Sequence, residues 1–199
     1  MVVKKTKQGI LISQNKRNWA IKGQHPHDIH EVENQRRWRV NVWAGIVGDR
    51  IIGPHFFEGN LNGRMYGQFL VHDLPNLLRG TPVPVAEMWW QQDGCPAHNS
   101  ALTTDQLNDI FPRHWIGTNG PRAWPPTSPD STPLDFWLWG VLKERCYQTP
   151  ATTPENMIER IRRECTAITP AEIRRAIINI DKRLRCLIEH HSNNFEQCL

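Results

Sequence analysis

The chain has 199 residues, which is the length of one ordinary domain and enough to bury a core without disulfide staples. Its 24 Lys and Arg against 20 Asp and Glu give a net charge of +4 and a pI near 8.9, a balance compatible with a nucleic-acid partner but not diagnostic of one. Five cysteines without paired spacing indicate reduced thiols in an intracellular protein, and no apolar run approaches the roughly 20 residues that span a bilayer. A disulfide scaffold and a membrane protein are therefore not expected.

The first quarter of the chain has the composition of β-strands. Residues 9–12 and 18–21 are short candidates that could form or flank a hairpin, and residues 22–34 are predicted to form a polar loop. Residues 38–47, with the sequence WRVNVWAGIV, give the strongest strand signal because aromatic and β-branched side chains favour a pleated surface.

A further strand, a helix and another strand follow. Residues 51–57 contain Pro54, which predicts an edge strand because proline cannot donate a hydrogen bond to a neighbour. Residues 62–78 carry apolar side chains near one face of a predicted helix, which Pro75 should kink or split. Residues 85–92 are nearly all apolar up to Trp90, as expected for a central buried strand.

The remainder is predicted to become increasingly helical. Residues 99–110 suit a short helix, residues 115–116 a short strand, and residues 119–133 a long ordered loop rich in Pro, Gly and Ser. Three Thr-Pro pairs then predict helix starts, each with an N-cap and a proline at the first helical position: Thr132-Pro133, Thr153-Pro154 and Thr169-Pro170.

Two apolar stripes at helical spacing mark the last two helices. Glu172 completes a capping box with Thr169. The stripes consist of Met157, Ile158, Ile161, Cys165 and Ile168, and of Ile173, Ile177, Ile180, Leu184 and Leu187. Together with the strands, they predict an α/β fold with a mixed sheet covered by helices.

Two carboxylates lie where open α/β sheets collect their chemistry. Asp93 follows the strand that ends near Gln92, and Asp135 occupies the third position of the helix that begins after Thr132. Two such acids could share Mg²⁺ or Mn²⁺, which prefer oxygen ligands. Taken singly, each also has a structural explanation, since an Asp before Gly is commonly a turn residue and an acid in a first helical turn compensates the helix dipole.

In combination, several segments of the chain resemble the catalytic domain of mariner-type transposases, the Tc/mariner superfamily. Any one segment is weak evidence, but their order and spacing over most of the chain are specific. They are residues 41–46 (NVWAGI), Gly53-Pro54, residues 92–98 (QDGCPAH), residues 115–117 (WIG), Trp124-Pro125, Ser128-Pro129-Asp130, residues 133–136 (PLDF) and residues 194–196 (NFE).

The resemblance implies a ribonuclease H-like fold in which three acids bind two Mg²⁺ (or Mn²⁺) ions for DNA cleavage and strand transfer. In this chain, Asp93 matches the second acid and Asp135 the third, so both are the expected catalytic residues and metal ligands. Asp130 matches a non-catalytic aspartate of the motif, and His98 lies near the site in a role left open. DNA is the expected partner, with a possible homodimer, no membrane and no small-molecule cofactor, and the expected location is the nucleus.

The first acid of the family pattern has no counterpart here. It should lie on the first strand, shortly before the hairpin near Gly9, but no acidic residue precedes Asp28, which falls in the loop after the hairpin. We therefore expect residues 1–199 to form a single catalytic-type domain that lacks the N-terminal helix-turn-helix region, with its first strand missing or shortened. Such a chain would be a truncated or degenerate relic, or an incomplete gene model.

Impaired cleavage and strand transfer follow from that expectation. The alternative function is a non-catalytic nucleic-acid-binding or interaction domain that keeps the scaffold, and a product without a selected role is a third option. The absence of acids from residues 1–27 also leaves a basic segment that either contacts phosphates or is simply solvated: Lys4, Lys5, Lys7, Lys16, Arg17 and Lys22.

Two other kinds of site are less favoured by the sequence. Cys95 and His98 have a spacing found in zinc sites, and His25, His27 and His30 lie upstream, but no closed set of four ligands is evident. Cys95 beside Asp93 also has no histidine and orienting partner that would make it a nucleophile, so a structural thiol is expected. Arginines on the last helices are expected to pair with neighbouring glutamates on a solvent-facing surface, with DNA contact as the secondary interpretation.

Overall fold

The computed structural model describes residues 2–7, 10–11, 39–124, 131–149 and 153–189, with side chains for residues 39–124, 131–149 and 153–186. Several predicted features therefore lie outside the described residues: the strand at 18–21, the loop at 22–34 with its histidines, Lys16, Arg17, Lys22, Asp130 and the motif at 194–196. For Lys4, Lys5 and Lys7 the structure gives the backbone only. None of the described helices is long and apolar enough to cross a membrane.

Four antiparallel strands form the first sheet in the order β2-β1-β3-β4. They are β1 (Val2–Lys7), β2 (Ile10–Leu11), β3 (Asn41–Val47) and β4 (Arg50–Phe57). A six-residue strand thus does lie beside β3, with Val3 opposite Trp43, and its sequence VVKKTK contains no carboxylate. The edge position predicted for β4 from Pro54 is confirmed.

An irregularity in the β3–β4 pairing explains the glycine of β4. The register shifts between Trp43 and Gly45, and opposite this bulge Gly53 has φ +91°. A Cβ at Gly53 would stand 3.1 Å from the His55 nitrogen and 3.2 Å from the Trp43 oxygen, so only glycine fits without displacing backbone.

Three short parallel strands form a second sheet: β5 (Trp90–Gln91), β6 (Trp115–Gly117) and β7 (Arg122–Ala123). The single mixed sheet expected from the sequence is therefore divided into an antiparallel and a parallel part within the described residues. The two parts meet through side chains, because the ring of Trp43 on β3 stacks on that of Trp90 on β5, with centroids 6.2 Å apart.

Two sequence predictions in this region are wrong. The long buried strand at residues 85–92 is only the two-residue β5, and Val85–Glu87 is an exposed 3₁₀ turn. Prolines at positions 82 and 84 remove backbone donors there, so apolar composition did not produce a strand. Conversely, β7 lies inside the segment predicted to be loop.

The predicted helix near residues 62–78 is confirmed, including its distortion. Asn62 caps α1 (Gly63–Gln68) by accepting a hydrogen bond from the Met65 amide. The helix then widens into a π-helical turn at Phe69–Asp73 and ends as α2 (Leu74–Leu77). Pro75 lacks the N–H that a regular α-helix would use, and the wider turn accommodates that missing donor.

The remaining helices are α3 (Ala101–Ile110), a π-helical turn at Leu134–Leu138 that continues into α4 (Trp139–Cys146), α5 (Pro154–Ala167) and α6 (Pro170–Glu189). Thr153 accepts a hydrogen bond from the Asn156 amide, and Thr169 and Glu172 form the predicted capping box. The α5 stripe is buried as predicted. Among the α6 stripe residues whose side chains are described, burial decreases along the helix, since Ile173 is 2% exposed and Leu184 is 37% exposed.

Two clusters of buried side chains make up the core. One lies between β3 and the helices α4 to α6, and it contains Val42, Leu138, Leu142, Met157 and Ile161. The other lies on the opposite side of the sheet under α1 to α3. Its members include Trp43, Tyr66, Phe69, Trp90 and Trp115, so this side of the sheet has an aromatic core.

Candidate functional site

Asp93 is the first residue of the loop that leaves β5, where the predicted site lies. The preceding Gln92 still pairs with the sheet, because its amide donates to the Ile116 carbonyl at 3.0 Å. One carboxylate oxygen of Asp93, Oδ1, accepts from the Cys95 amide at 3.1 Å and lies 2.6 Å from Nδ1 of His98. The carboxylate is thus held in one orientation by its own loop.

His98 is wholly buried, although it belongs to a polar loop. Nδ1 donates to the ionised Asp93 carboxylate, which leaves Nε2 as the second polar atom of the ring. Nε2 is also buried, and it has no hydrogen-bond partner among the described residues. The ring packs on Tyr66, with centroids 4.3 Å apart, so the histidine cannot turn to reach another partner without disturbing the core.

Gln92 links this loop to the core, and the sequence reasoning missed its role. Its side-chain oxygen accepts from the hydroxyl of Tyr66 at 3.3 Å and from the indole N–H of Trp90 at 3.2 Å. Its amide nitrogen donates to the carbonyl of His98 at 2.9 Å. Gln92 is adjacent to the catalytic-type aspartate in the motif, but no property of the sequence indicated that it would be buried.

The rest of the loop is closed by local hydrogen bonds. Asn99 donates to the Gly94 carbonyl at 3.1 Å, and the hydroxyl of Thr103 donates to the Ala97 carbonyl at 3.0 Å. Ser100 caps α3 by accepting from the Thr103 amide at 3.2 Å. The loop between β5 and α3 is therefore a fixed structure that presents a partly exposed Asp93 carboxylate.

The electrostatics of this loop favour an ionised Asp93. Burial raises the pKa of this carboxyl, but the hydrogen bond and charge of His98 and the Cys95 amide outweigh burial, so the net pKa lies below its ordinary value. Burial, and next the negative charge of Asp93, raise the pKa of Tyr66. Tyr66 thus stays a neutral donor to Gln92, and Asp93 is the negative group of the site.

Asp135 lies in the first turn of the helical segment that runs into α4. Its amide donates to the Thr132 carbonyl at 2.8 Å, and its side chain is partly buried. The neighbouring Leu134 and Leu138 are anchored in the core cluster of α4 to α6, whereas Asp93 borders the aromatic cluster on the other side. That Asp93 and Asp135 share a cation stays a prediction.

The described side chains form no complete two-ion cage. The motif resemblance implies three acids, and the sequence of β1, the strand beside β3, contains none. Among the described residues, no group of three or more His, Cys, Asp and Glu is arranged to hold a metal ion. The same finding applies to zinc: the described Cys95 and His98 belong to no such group, and the Nδ1 atom of His98 is engaged by Asp93.

The pairing expected for the arginines of the last helices is confirmed only in part, since within the described part of the chain three of them contact an acidic side chain and only one of these acids is a glutamate. Arg163 pairs with Glu164, Arg185 with Asp181, and Arg174 with Asp49. The described cysteines form no disulfide with one another. Burial raises the pKa of Cys146 to about 11 and that of Cys165 to about 12, so neither thiol is a nucleophile near neutral pH.

Comparison with known proteins shows similarity in structure only. No protein-family model matches the chain, and no curated protein matches it. The chain is similar to the Mos1 transposase catalytic domain in a structure with raltegravir and Mn, with a TM-score of 0.62 and 16% identity over 80% of this chain and 74% of that chain.

Two complexes of Mos1 are also similar. The Mos1 strand transfer complex gives a TM-score of 0.72 and 16% identity over 98% of this chain and 54% of that chain. The Mos1 paired-end complex with the left transposon end gives 0.72 and 18% over 98% and 56%. The chain therefore spans about half the length of the Mos1 chains in those complexes. These likenesses confirm the predicted fold, an α/β arrangement of the ribonuclease H-like kind.

Proposed function

We propose that the chain is a mariner-type, transposase-derived domain that binds DNA and has lost efficient cleavage and strand transfer. The observation that carries the proposal is the state of the Asp93 loop. Asp93 is ionised and held by His98 at the end of β5, as a ligand carboxylate would be, whereas β1 carries no acid. The Mos1 fold and the motif resemblance support the same ancestry.

Divalent metal has a limited part in this proposal. Asp93 and Asp135 are the groups that would hold Mg²⁺ or Mn²⁺ through oxygen atoms. Because the third acid is missing, we assign no cleavage step to the chain. What its own residues do is position one carboxylate and present basic side chains to a polyanion. A possible homodimer and a nuclear location are part of the proposal.

DNA binding is the part of the proposal that a titration tests directly. Fluorescence anisotropy with a labelled duplex should show binding that weakens steeply between about 50 and 200 mM salt, because phosphate contacts release counterions. A variant with Lys4, Lys5 and Lys7 changed to Gln should bind more weakly and with a shallower salt slope. Lys143→Gln, at an exposed site on α4, is the matched control. Undetectable binding, or an affinity that does not change with salt concentration, would contradict the DNA-binding function.

Loss of catalysis is tested separately by nicking of supercoiled DNA. We expect no metal-dependent nicking with Mg²⁺ and at most weak nicking with Mn²⁺. Asp93→Ala and Asp135→Ala then leave the measured rate unchanged, as does Asp105→Ala on the exposed face of α3. Robust nicking with Mg²⁺ that disappears in Asp93→Ala but persists in Asp105→Ala would overturn the impaired-enzyme proposal. DNA binding without nicking would favour a non-catalytic binding domain.

A further inference from the structure

A groove of about 330 Å³ lies between the π-helical turn at Leu134–Leu138 and α6, outside the Asp93 loop. This volume is at the lower end of the range of about 300–1,000 Å³ found for ligand pockets, so the groove has room for one small group. Aromatic side chains line it on one side and mostly polar ones on the other: Phe136, Trp137, Glu172, Arg175, Ala176, Asn179 and Arg183.

The residues that α6 contributes form a continuous stripe along that helix. Positions 172, 176, 179 and 183 follow one another at intervals of three or four residues, the spacing of one helical face, and position 175 is three residues from 172 and four from 179. Ala176 at the centre is small and buried, so its side chain leaves room for the groove. On the opposite wall, Phe136 and Trp137 directly follow Asp135, and they place aromatic surface beside a candidate metal ligand.

The charge of the groove is positive. Its one acid, Glu172, is engaged by Arg145 at 2.5 Å and by the backbone and hydroxyl of Thr169. Arg175 is exposed and makes no salt bridge within the described part of the chain, in contrast with the adjacent Arg174, which pairs with Asp49. A cation aimed at solvent beside aromatic rings suits an anionic ligand.

Arg183 gives the groove a flat surface. Its guanidinium lies over the ring of Phe136, 4.0 Å from the centroid. Arginine in this position offers a planar face for stacking as well as donors for an anion. Aromatic rings and guanidinium planes are the surfaces on which unpaired bases stack, whereas an acidic peptide would use the charge without needing the planes.

We propose that this groove binds one unpaired nucleotide of a DNA strand. Its base stacks against the Phe136, Trp137 and Arg183 surface, and its phosphate pairs with Arg175. This inference rests on the proposed function and deepens it, because it names the part of the DNA that the groove takes. The groove would hold the end or flank of a strand near Asp135. The basic segment of β1 would contact phosphates but would not select this part of the DNA.

Anisotropy titrations with three labelled DNA probes test the proposal: a blunt duplex, the same duplex with a short unpaired flank, and that flanked duplex with abasic sites in the flank. Stacking of one base is worth about 1–3 kcal/mol, so we expect the flanked duplex to bind about tenfold more tightly than the blunt one. The abasic flank should lose most of that gain.

Matched variants separate the groove from general basicity. Arg175→Ala should remove several-fold of the preference for the flanked probe, whereas Arg174→Ala removes the same charge outside the groove and should preserve the preference. Arg183→Lys keeps the charge but removes the plane, so it should reduce the preference for the flanked over the abasic probe. Circular dichroism checks that each variant is folded. We expect all three variants to fold, because none of the three side chains is fully buried.

Four results would overturn the inference. Equal binding of blunt and flanked duplexes would reject the nucleotide site while leaving the DNA-binding function intact. Loss of the preference in Arg174→Ala as much as in Arg175→Ala would assign it to overall charge. Displacement of the flanked probe by polyglutamate as readily as by a short single-stranded oligonucleotide would indicate an acidic-peptide site. Absence of binding to every probe would reject the proposed function together with the site.

Discussion

The loop after β5 and the paired helices α5 and α6 are both held by polar side chains, but over different distances along the chain. In α5 and α6, Thr153 and Thr169 bond to amides three residues ahead, so each helix start is a local structure. In the loop, Gln92 joins Tyr66, 26 residues earlier, and the His98 carbonyl, six residues later. The helix starts need only local contacts, whereas the loop combines local hydrogen bonds with a long-range contact that ties it to the core.

The difference also concerns what each region tolerates. The helices bury apolar side chains, and the stability lost when one is truncated depends on the cavity that the substitution leaves. The loop buries polar groups, and the stability lost there depends on whether each hydrogen-bond donor and acceptor keeps a partner. Substitutions that separate these two costs are the most direct way to challenge the comparison.

The largest effect is expected in the helical core. Ile161→Ala on α5 should lower the free energy of unfolding by about 3 kcal/mol, because Ile161 is 1% exposed and its removal leaves a cavity against α4 and β3. Ile178→Ala on α6 is the control, since Ile178 is 72% exposed and should cost less than about 0.5 kcal/mol. Urea unfolding followed by circular dichroism measures both, and equal losses would show that α5 is not packed as described.

The next largest effect is expected at the buried Gln92 side chain, which hydrogen-bonds three groups. Gln92→Leu keeps a similar size but leaves the Tyr66 hydroxyl, the Trp90 indole N–H and the His98 carbonyl without their partner. We expect a loss of about 2 kcal/mol of unfolding free energy. Gln68→Leu on the exposed face of α1 is the control. A neutral Gln92→Leu variant would mean that the loop is not held through this side chain.

A smaller effect should depend on pH. Because the pKa of Asp93 is depressed in the folded state below its ordinary value near 3.8, its carboxylate contributes stability above that value. This contribution, about 1.5 kcal/mol for hydrogen bonds to a charged group, is lost as pH falls through the folded-state pKa. Asp93→Asn should therefore be less stable than the wild type at pH 6 and equal to it in strong acid. A difference that is the same at both pH values would contradict the ionised carboxylate.

The smallest effect is expected at the capping box of α6. The pKa of Glu172 is lowered to about 2, mainly because its carboxylate accepts hydrogen bonds from the backbone and hydroxyl of Thr169 and, to a smaller extent, because it contacts Arg145. Glu172→Gln should cost about 1 kcal/mol at neutral pH, and the deficit should shrink as pH falls from about 4.5 toward 2. Glu159→Gln, exposed on α5, serves as the control. Equal dependence of stability on pH in the two variants would show that the Glu172 carboxylate does not stabilise the start of α6.

The predictions that succeeded from sequence depend on short-range rules. The starts of α5 and α6, the distortion near Pro75 and the edge position of β4 each follow from one residue acting on its own backbone. The apolar run before Trp90 failed because composition does not say whether neighbouring strands are available to pair. Only Trp90 and Gln91 pair with β6, whereas Val85–Glu87 forms an exposed 3₁₀ turn.

The amino-acid sequence by itself determined the starts of α5 and α6, the identity of the carboxylates and the lack of an acid in residues 1–27, since each is written in neighbouring residues. The N-cap predicted at Thr132 was wrong, because the turn at Leu134–Leu138 has Pro133 at its N-cap position and no capping hydrogen bond from a side chain. Only the tertiary structure decided that Asp93 is fixed by a buried His98, that Gln92 ties the loop to the aromatic core, and that Arg183 lies over Phe136 in the groove that Arg175 also lines. Two of these arrangements join elements far apart in the chain, and the first buries a histidine of a polar loop. Their energies depend on burial and on which partners are close in space, and linear spacing does not encode either.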